Sequence, residues 1–275
     1  MFYTYQGCVG VIMDQNIKLD LLKNIEEADF VFVGIGSELQ VKLSVLKEIE
    51  NFQNKLDYLE KNDDYEWVIP FLIKYYLRQD YHKGIMKAYE RLYDLIKDKN
   101  YFIVSLSTDD LLKKLPFRED RVVFPCGTYD KMQCENDCNN VLYDVDEKIW
   151  KQVCEWIEDK TDISILEQPK CLSCGENLVF NQYGQPVYNE NGYIDNWQIY
   201  TKWLQGTVNR KLCILELGVG MEFPSIIRWP MEKVCFYNQK SHFYRVHEML
   251  YQVAGDIEER GIAVKQNALE FLQEL

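Results

Sequence analysis

The sequence predicts an α/β fold: a mostly parallel sheet carrying a helical insert and a cysteine-bearing insert. Three observations point there. Short apolar strands alternate with helical segments along the chain. Two strands run straight into glycine turns, Gly34-Ile-Gly-Ser37 and Gly218-Val-Gly220. Such turns let backbone N–H groups meet a phosphate, which makes the sheet Rossmann-like. Two close cysteine pairs occupy a polar stretch that breaks the alternation.

The elements follow in order. Residues 17–28 form an amphipathic helix, with Leu19, Leu21, Leu22, Ile25 and Ala28 as its stripe. Residues 30–33 form a strand that feeds the first glycine turn. That turn alone suits a phosphate loop and a plain strand-to-helix turn equally. Residues 43–99 are helical, with a charged face, and Pro70 opens a new helix. Further strands are expected at 101–105, 121–124, 211–216, 233–237, 243–246 and 261–265. Helices are expected at 248–259 and 268–275. Residues 126–206 hold six of the nine cysteines and form the second insert. The resulting division is a nucleotide-binding domain at 1–40, 100–128 and 207–275. The helical module spans 41–99 and the cysteine module 129–206.

Composition narrows the function. A 275-residue chain that is 47% hydrophobic and 14% aromatic is globular. Lys plus Arg is 31 and Asp plus Glu is 44, so the net charge is 31 − 44 = −13. That balance argues against a nucleic-acid binder and against adhesion to an anionic membrane. It favours a basic protein partner. No apolar window is long enough to span a bilayer. Residues 1–13 lack the Lys or Arg of a secretory leader, so a cytoplasmic location is expected. Thiols stay reduced there.

Cys134-x₃-Cys138 and Cys171-x₂-Cys174-Gly175 supply four thiolates for a tetrahedral Zn²⁺ site. Four protein ligands leave no open position, so such a metal is structural. Cys8, Cys154, Cys213 and Cys235 lie in apolar contexts and are expected as core thiols. The histidines, His82, His242 and His247, give little material for imidazole chemistry. Arg228 suits either a pyrophosphate contact or an ordinary surface position.

The order of strand-GxGS, helical module, Asp109, a Cys-Gly turn, two cysteine pairs and strand-GVG resembles a sirtuin. The bacterial, macrodomain-linked branch resembles it most, the branch closer to protein ADP-ribosyltransferases than to deacetylases. Gly127-Thr-Tyr-Asp-Lys-Met-Gln-Cys134 is similar to that branch's Gly-Asp-Tyr-Gly-x-x-Gln-Cys approach to the zinc site. Cys171-x-x-Cys-Gly-x-x-Leu-Val-Phe-Asn181 resembles its second cysteine pair. Leu215-Glu-Leu-Gly-Val-Gly220, with Pro224, Ile226, Ile227 and Pro230, resembles its second nucleotide loop. The likeness runs from Ala28 to the C-terminus and is weakest over 38–98.

The resemblance implies cleavage of the nicotinamide–ribose bond of NAD and transfer of ADP-ribose to an acyl-lysine, another protein group or water. It implies Gly34, Gly36 and Ser37 at a phosphate loop, Gly218 and Gly220 at a second, and His247 at the adenosine ribose. It places Asp109 and Ser107 at the nicotinamide pocket and Cys126 at the catalytic position. Three features depart from the family. The Asp-Phe-Arg loop is not visible after Glu38. Ser107 replaces an Asn. Cys126 stands where deacetylating sirtuins keep a His base. Cys126 suits a thiolate nucleophile, an ADP-ribose acceptor or a small buried filler. Three functions fit: an NAD-dependent ADP-ribosyltransferase or deacylase, a catalytically silent sensor of NAD or ADP-ribose, and a zinc-stapled scaffold. The implied partners are NAD or ADP-ribose and an acyl- or lipoyl-carrying protein.

Overall fold

A computed structural model describes residues 15–79 and 82–275. Cys8 lies outside the described residues. Helix α1 (Gln15–Glu27) buries Leu21 and Ile25, four residues apart on one face. It leads into β1 (Phe30–Ile35), whose run of buried residues needs cover on both sides. The sheet has six strands in the order β3-β2-β1-β7-β8-β9, all parallel. The others are β2 (Asn100–Ser105), β3 (Val122–Val123), β7 (Leu212–Leu217), β8 (Ser241–Val246) and β9 (Gly261–Val264). Strand order reverses between β1 and β7, and a parallel sheet opens its ligand crevice at such a point.

Side chains alternate across the sheet and fill two cores. Val31, Val33 and Ile35 face α1, α5 (Lys83–Ile96) and α9 (Ala268–Glu274). Phe32, Phe102 and Ile214 face Tyr200 and Trp203 of α7 (Ile194–Gly206) and Met231 of α8 (Arg228–Tyr237).

Residues 233–237, expected as a strand, are the last turns of α8. Met231 and Cys235 are buried at helical spacing against β7 and β8, and Pro230 sits in the first turn, where its missing N–H costs nothing. Residues 248–259, expected as a helix, form a loop with one short 3₁₀ turn (Gly255–Ile257). Arg228 and Arg245 donate to the carbonyls of Leu250 and Gln252, which a helix would need for itself.

The helical insert consists of α2 (Leu43–Lys47), α3 (Glu50–Leu59), α4 (Ile69–Leu77) and α5. The cysteine-bearing part is an antiparallel sheet, β5-β4-β6, with α6 (Glu147–Ile157) beside it. Its strands are β4 (Gly127–Cys134), β5 (Leu142–Asp144) and β6 (Leu178–Gln182). The two inserts pack on each other. Phe71 of α4 meets Phe180 of β6 with ring centroids 4.8 Å apart, and buried Lys74 donates to the Tyr129 carbonyl. Cys213 and Cys235 are buried, as expected of core thiols, while Cys154 on α6 is only half-buried. Among the described residues no helix is long and apolar enough to cross a membrane.

Candidate nucleotide crevice and metal centre

The register puts Ile35 beside Leu217 and Leu217 beside Val246, so the loops after β1, β7 and β8 emerge together. Gly36 donates to the Leu217 carbonyl at 2.9 Å, and Gly218 to the Val246 carbonyl at 2.8 Å. A Cβ on Gly36 would stand 2.3 Å from the Gly218 carbonyl oxygen, so the two glycine turns touch through backbone alone. Gly218 has φ +62°, a conformation glycine takes without cost. Gly220 is open: a Cβ there would meet nothing nearer than Ser37 Oγ at 4.0 Å. Ser37 is exposed at the mouth. Gly34 is different. It lies inside β1, where a Cβ would strike Ile227 at 2.4 Å, so its smallness lets α8 pack.

Asp109 lies in the loop after β2, fully buried. Its carboxylate accepts from Val41 N–H at 2.9 Å and from Leu111 N–H at 3.3 Å. Gln40 donates to Thr108 Oγ1 at 2.9 Å beside it. Asp109 therefore clamps the segment after the first glycine turn to the loop after β2. Burial raises its carboxyl above the usual range, opposed by those same hydrogen bonds. Ser107 is also buried, near the Asp109 carboxyl and the Tyr89 hydroxyl. Its Oγ is the side-chain donor that both the Asp109 carboxyl and the Tyr89 hydroxyl sense. The hydroxyl therefore helps the Val41 and Leu111 N–H groups hold the Asp109 carboxylate, lowering its pKa against burial.

Cys126 follows β3 and is buried, with the Tyr188 hydroxyl donating to the preceding carbonyl, Pro125, at 2.9 Å. Burial, assisted by the Glu222 carboxylate, pushes its thiol up to about 12. Both influences favour the neutral thiol over the thiolate. Gly127 has φ +73°, and a Cβ there would stand 2.0 Å from the Asn181 carbonyl. The Cys-Gly turn is thus fixed by contact with β6.

His247 follows β8. Its Nδ1 accepts from the N–H groups of Met249 and Leu250 at 3.0 and 3.1 Å and lies 3.1 Å from the Glu38 carboxylate. Burial lowers its pKa. The ring shapes the loop after β8.

A buried ion-pair network beneath the crevice is not marked by any sequence motif. Glu216 of β7 is fully buried and accepts a bidentate pair from Arg245 of β8, at 2.7 and 2.9 Å. Arg228 of α8 adds a 3.4 Å contact and donates to Val219 and Leu250 carbonyls at 2.7 and 2.6 Å. Glu232 balances the second arginine at 2.7 Å from Arg245. Arg228 is therefore neither a surface cation nor a phosphate ligand. It fastens the second glycine turn from beneath. A glutamate within an apolar strand run was the signal, and its partners come from other elements.

The four cysteines of the two pairs meet. Their sulfurs lie within 4.8 Å of one another, with Cys134–Cys174 and Cys138–Cys171 at 3.6 Å. A tetrahedral Zn–S₄ site with bonds of about 2.3 Å has sulfur edges of about 3.8 Å. The donor set and its spacing therefore fit Zn²⁺. The turns that aim the sulfurs use Asp137 at φ 45° and Gly175 at φ +81°. Away from both sites, a cavity of about 660 Å³ opens along the β3 edge, and none of the expected site residues lines it.

No family model matches the chain. It is 22% identical over 279 residues to a protein ADP-ribosyltransferase of Staphylococcus aureus, covering 95% of this chain and 88% of that one. It is 26% identical over 136 residues to a probable bifunctional ADP-ribose hydrolase/ADP-ribosyltransferase of Fusarium oxysporum f. sp. cubense, covering 48% of this chain and 23% of that one. Among solved structures, a Sir2 homologue–NAD complex superposes with a TM-score of 0.54 at 14% identity, covering 96% of this chain and 93% of that one. A structure described as the basis for mechanism and regulation of Sir2 enzymes gives 0.53 at 16% identity, covering 94% and 95%. The chain has the Sir2 fold.

Proposed function

From the Sir2 fold and this crevice, we propose that the chain is an NAD-dependent protein ADP-ribosyltransferase. The observation that carries the reading is the meeting of Gly36–Ser37 with Gly218–Gly220 at the β1/β7 switch point. The likeness to a protein ADP-ribosyltransferase over nearly the whole chain supports it. NAD would supply the activated bond: nicotinamide leaves ribose C1′ as an acceptor atom bonds there.

The chain's own residues bind and orient. The open Gly220 and exposed Ser37 receive the diphosphate-bearing part. Asp109 holds the two loops around it, and positioning is the main lever for such a transfer. Cys126, whose thiol burial holds protonated, is a poor general base. That favours transfer to an acceptor with its own nucleophile over His-type deacylation. The acceptor is a protein, with an acyl- or lipoyl-carrying protein as the expected one, and the setting is cytoplasmic. Cys134, Cys138, Cys171 and Cys174 would hold Zn²⁺ as a closed structural site.

The neutral thiol also supports a second reading, a nucleotide sensor without turnover. Free nicotinamide, measured after incubation with NAD and candidate acceptor proteins, separates the two. The enzyme reading expects release that falls at least about tenfold in Ser37→Ala. Nucleotide binding with no release above background supports the sensor.

A further inference from the structure

Glu38 follows the first glycine turn and points inward, with 8% of its side chain exposed. Both carboxylate oxygens are engaged. Oε1 accepts from the Glu248 N–H at 2.9 Å, and Oε2 from the Ala268 N–H at 2.8 Å. Oε1 also lies 3.1 Å from His247 Nδ1, a nitrogen already accepting two backbone N–H groups. The Glu38 Cβ is 2.5 Å from where a Gly218 Cβ would stand. One side chain thus joins the chain segments leaving β1, β7, β8 and β9.

Those segments are where a parallel sheet of this order receives its ligand. Backbone N–H groups in such segments can serve an oxygen-bearing ligand. Here two of them are already taken by an internal anion. The nearby cations cannot offset it. Arg228 and Arg245 are committed to Glu216, Glu232 and the Val219, Leu250 and Gln252 carbonyls.

We propose that the Glu38 carboxylate is a built-in competitor for the β8–β9 end of the crevice, and that nucleotide binds when it leaves the Glu248 and Ala268 amides. The inference rests on the crevice being the nucleotide site. It makes affinity a two-state quantity. The apparent dissociation constant is the intrinsic one divided by the fraction of chains with Glu38 released. Charge-assisted bonds to two amides keep that fraction small.

Calorimetric titration of ADP-ribose into the wild-type chain, Glu38→Gln and Glu38→Ala tests it. A glutamine amide can accept from only one of the two N–H groups without presenting its own donors to the other. Both variants are expected to bind about tenfold or more tightly than wild type. Weaker binding in the variants, with melting confirming the fold, makes Glu38 a ligand contact or a brace and overturns the proposal. Equal affinity in all three also overturns it and leaves the crevice as the nucleotide site. No binding in any variant overturns both.

Discussion

Cys126 carries the sharpest chemical consequence of the site. Its thiol is pushed up to about 12 by burial and by Glu222. A raised acid pKa means the neutral form persists until the pH approaches that value, so at pH 8 almost no thiolate exists. Iodoacetamide at pH 8 is expected to leave Cys126 unmodified in the native chain, as read by peptide mass spectrometry. Cys126→Ser is expected to retain most nicotinamide release. Rapid alkylation, or a hundredfold loss in the serine variant, would restore the thiolate reading. Identical residue types in one motif can do different work. Gly34 and Gly36 look alike in the sequence, yet one admits helix α8 and the other admits the second glycine turn. Only the strand's end point distinguishes them.

Elements were legible where one local pattern settled them. The glycine turns and cysteine pairs are short and carry their chemistry in residue type and spacing. Residues 233–237 misled because Val234 and Phe236 alternate like a strand. The deciding spacing, Met231 to Cys235, begins before that window. Residues 248–259 misled because Leu250, Val253 and Ile257 fall at helical intervals. Arginines from α8 and β8 claim the loop carbonyls instead. The Glu216–Arg245 pair was invisible for the same reason: its partners lie 29 residues apart and meet only when β7 and β8 pair. Removing one partner of a buried pair leaves an uncompensated charge, at about 3–5 kcal/mol. Arg245→Met should therefore lower the urea midpoint by a corresponding amount and speed amide exchange in residues 248–252. A midpoint within error of wild type would show that the network does not hold the loop.

The whole molecule joins a two-faced parallel sheet to inserts that share one continuous core with it. The cysteine quartet lies at the far end of β4 from the Cys-Gly turn. Metal at that quartet would stabilise the small sheet without touching the crevice. One Zn²⁺ per chain is expected by elemental analysis. A strong chelator should then expose the β4 and β6 amides to exchange first, and leave ADP-ribose affinity intact. Loss of nucleotide affinity in step with metal loss would mean the two sites are one cooperative unit. On this reading the β1/β7 crevice receives the ADP-ribosyl part of NAD. Gly220 has open space where a side chain would project. Gly220→Trp should therefore fill the crevice while leaving the fold intact. Calorimetry with ADP-ribose should show binding to the wild-type chain and none to Gly220→Trp at an unchanged melting temperature. Equal binding by both chains, or none by the wild type, would place the nucleotide outside this crevice.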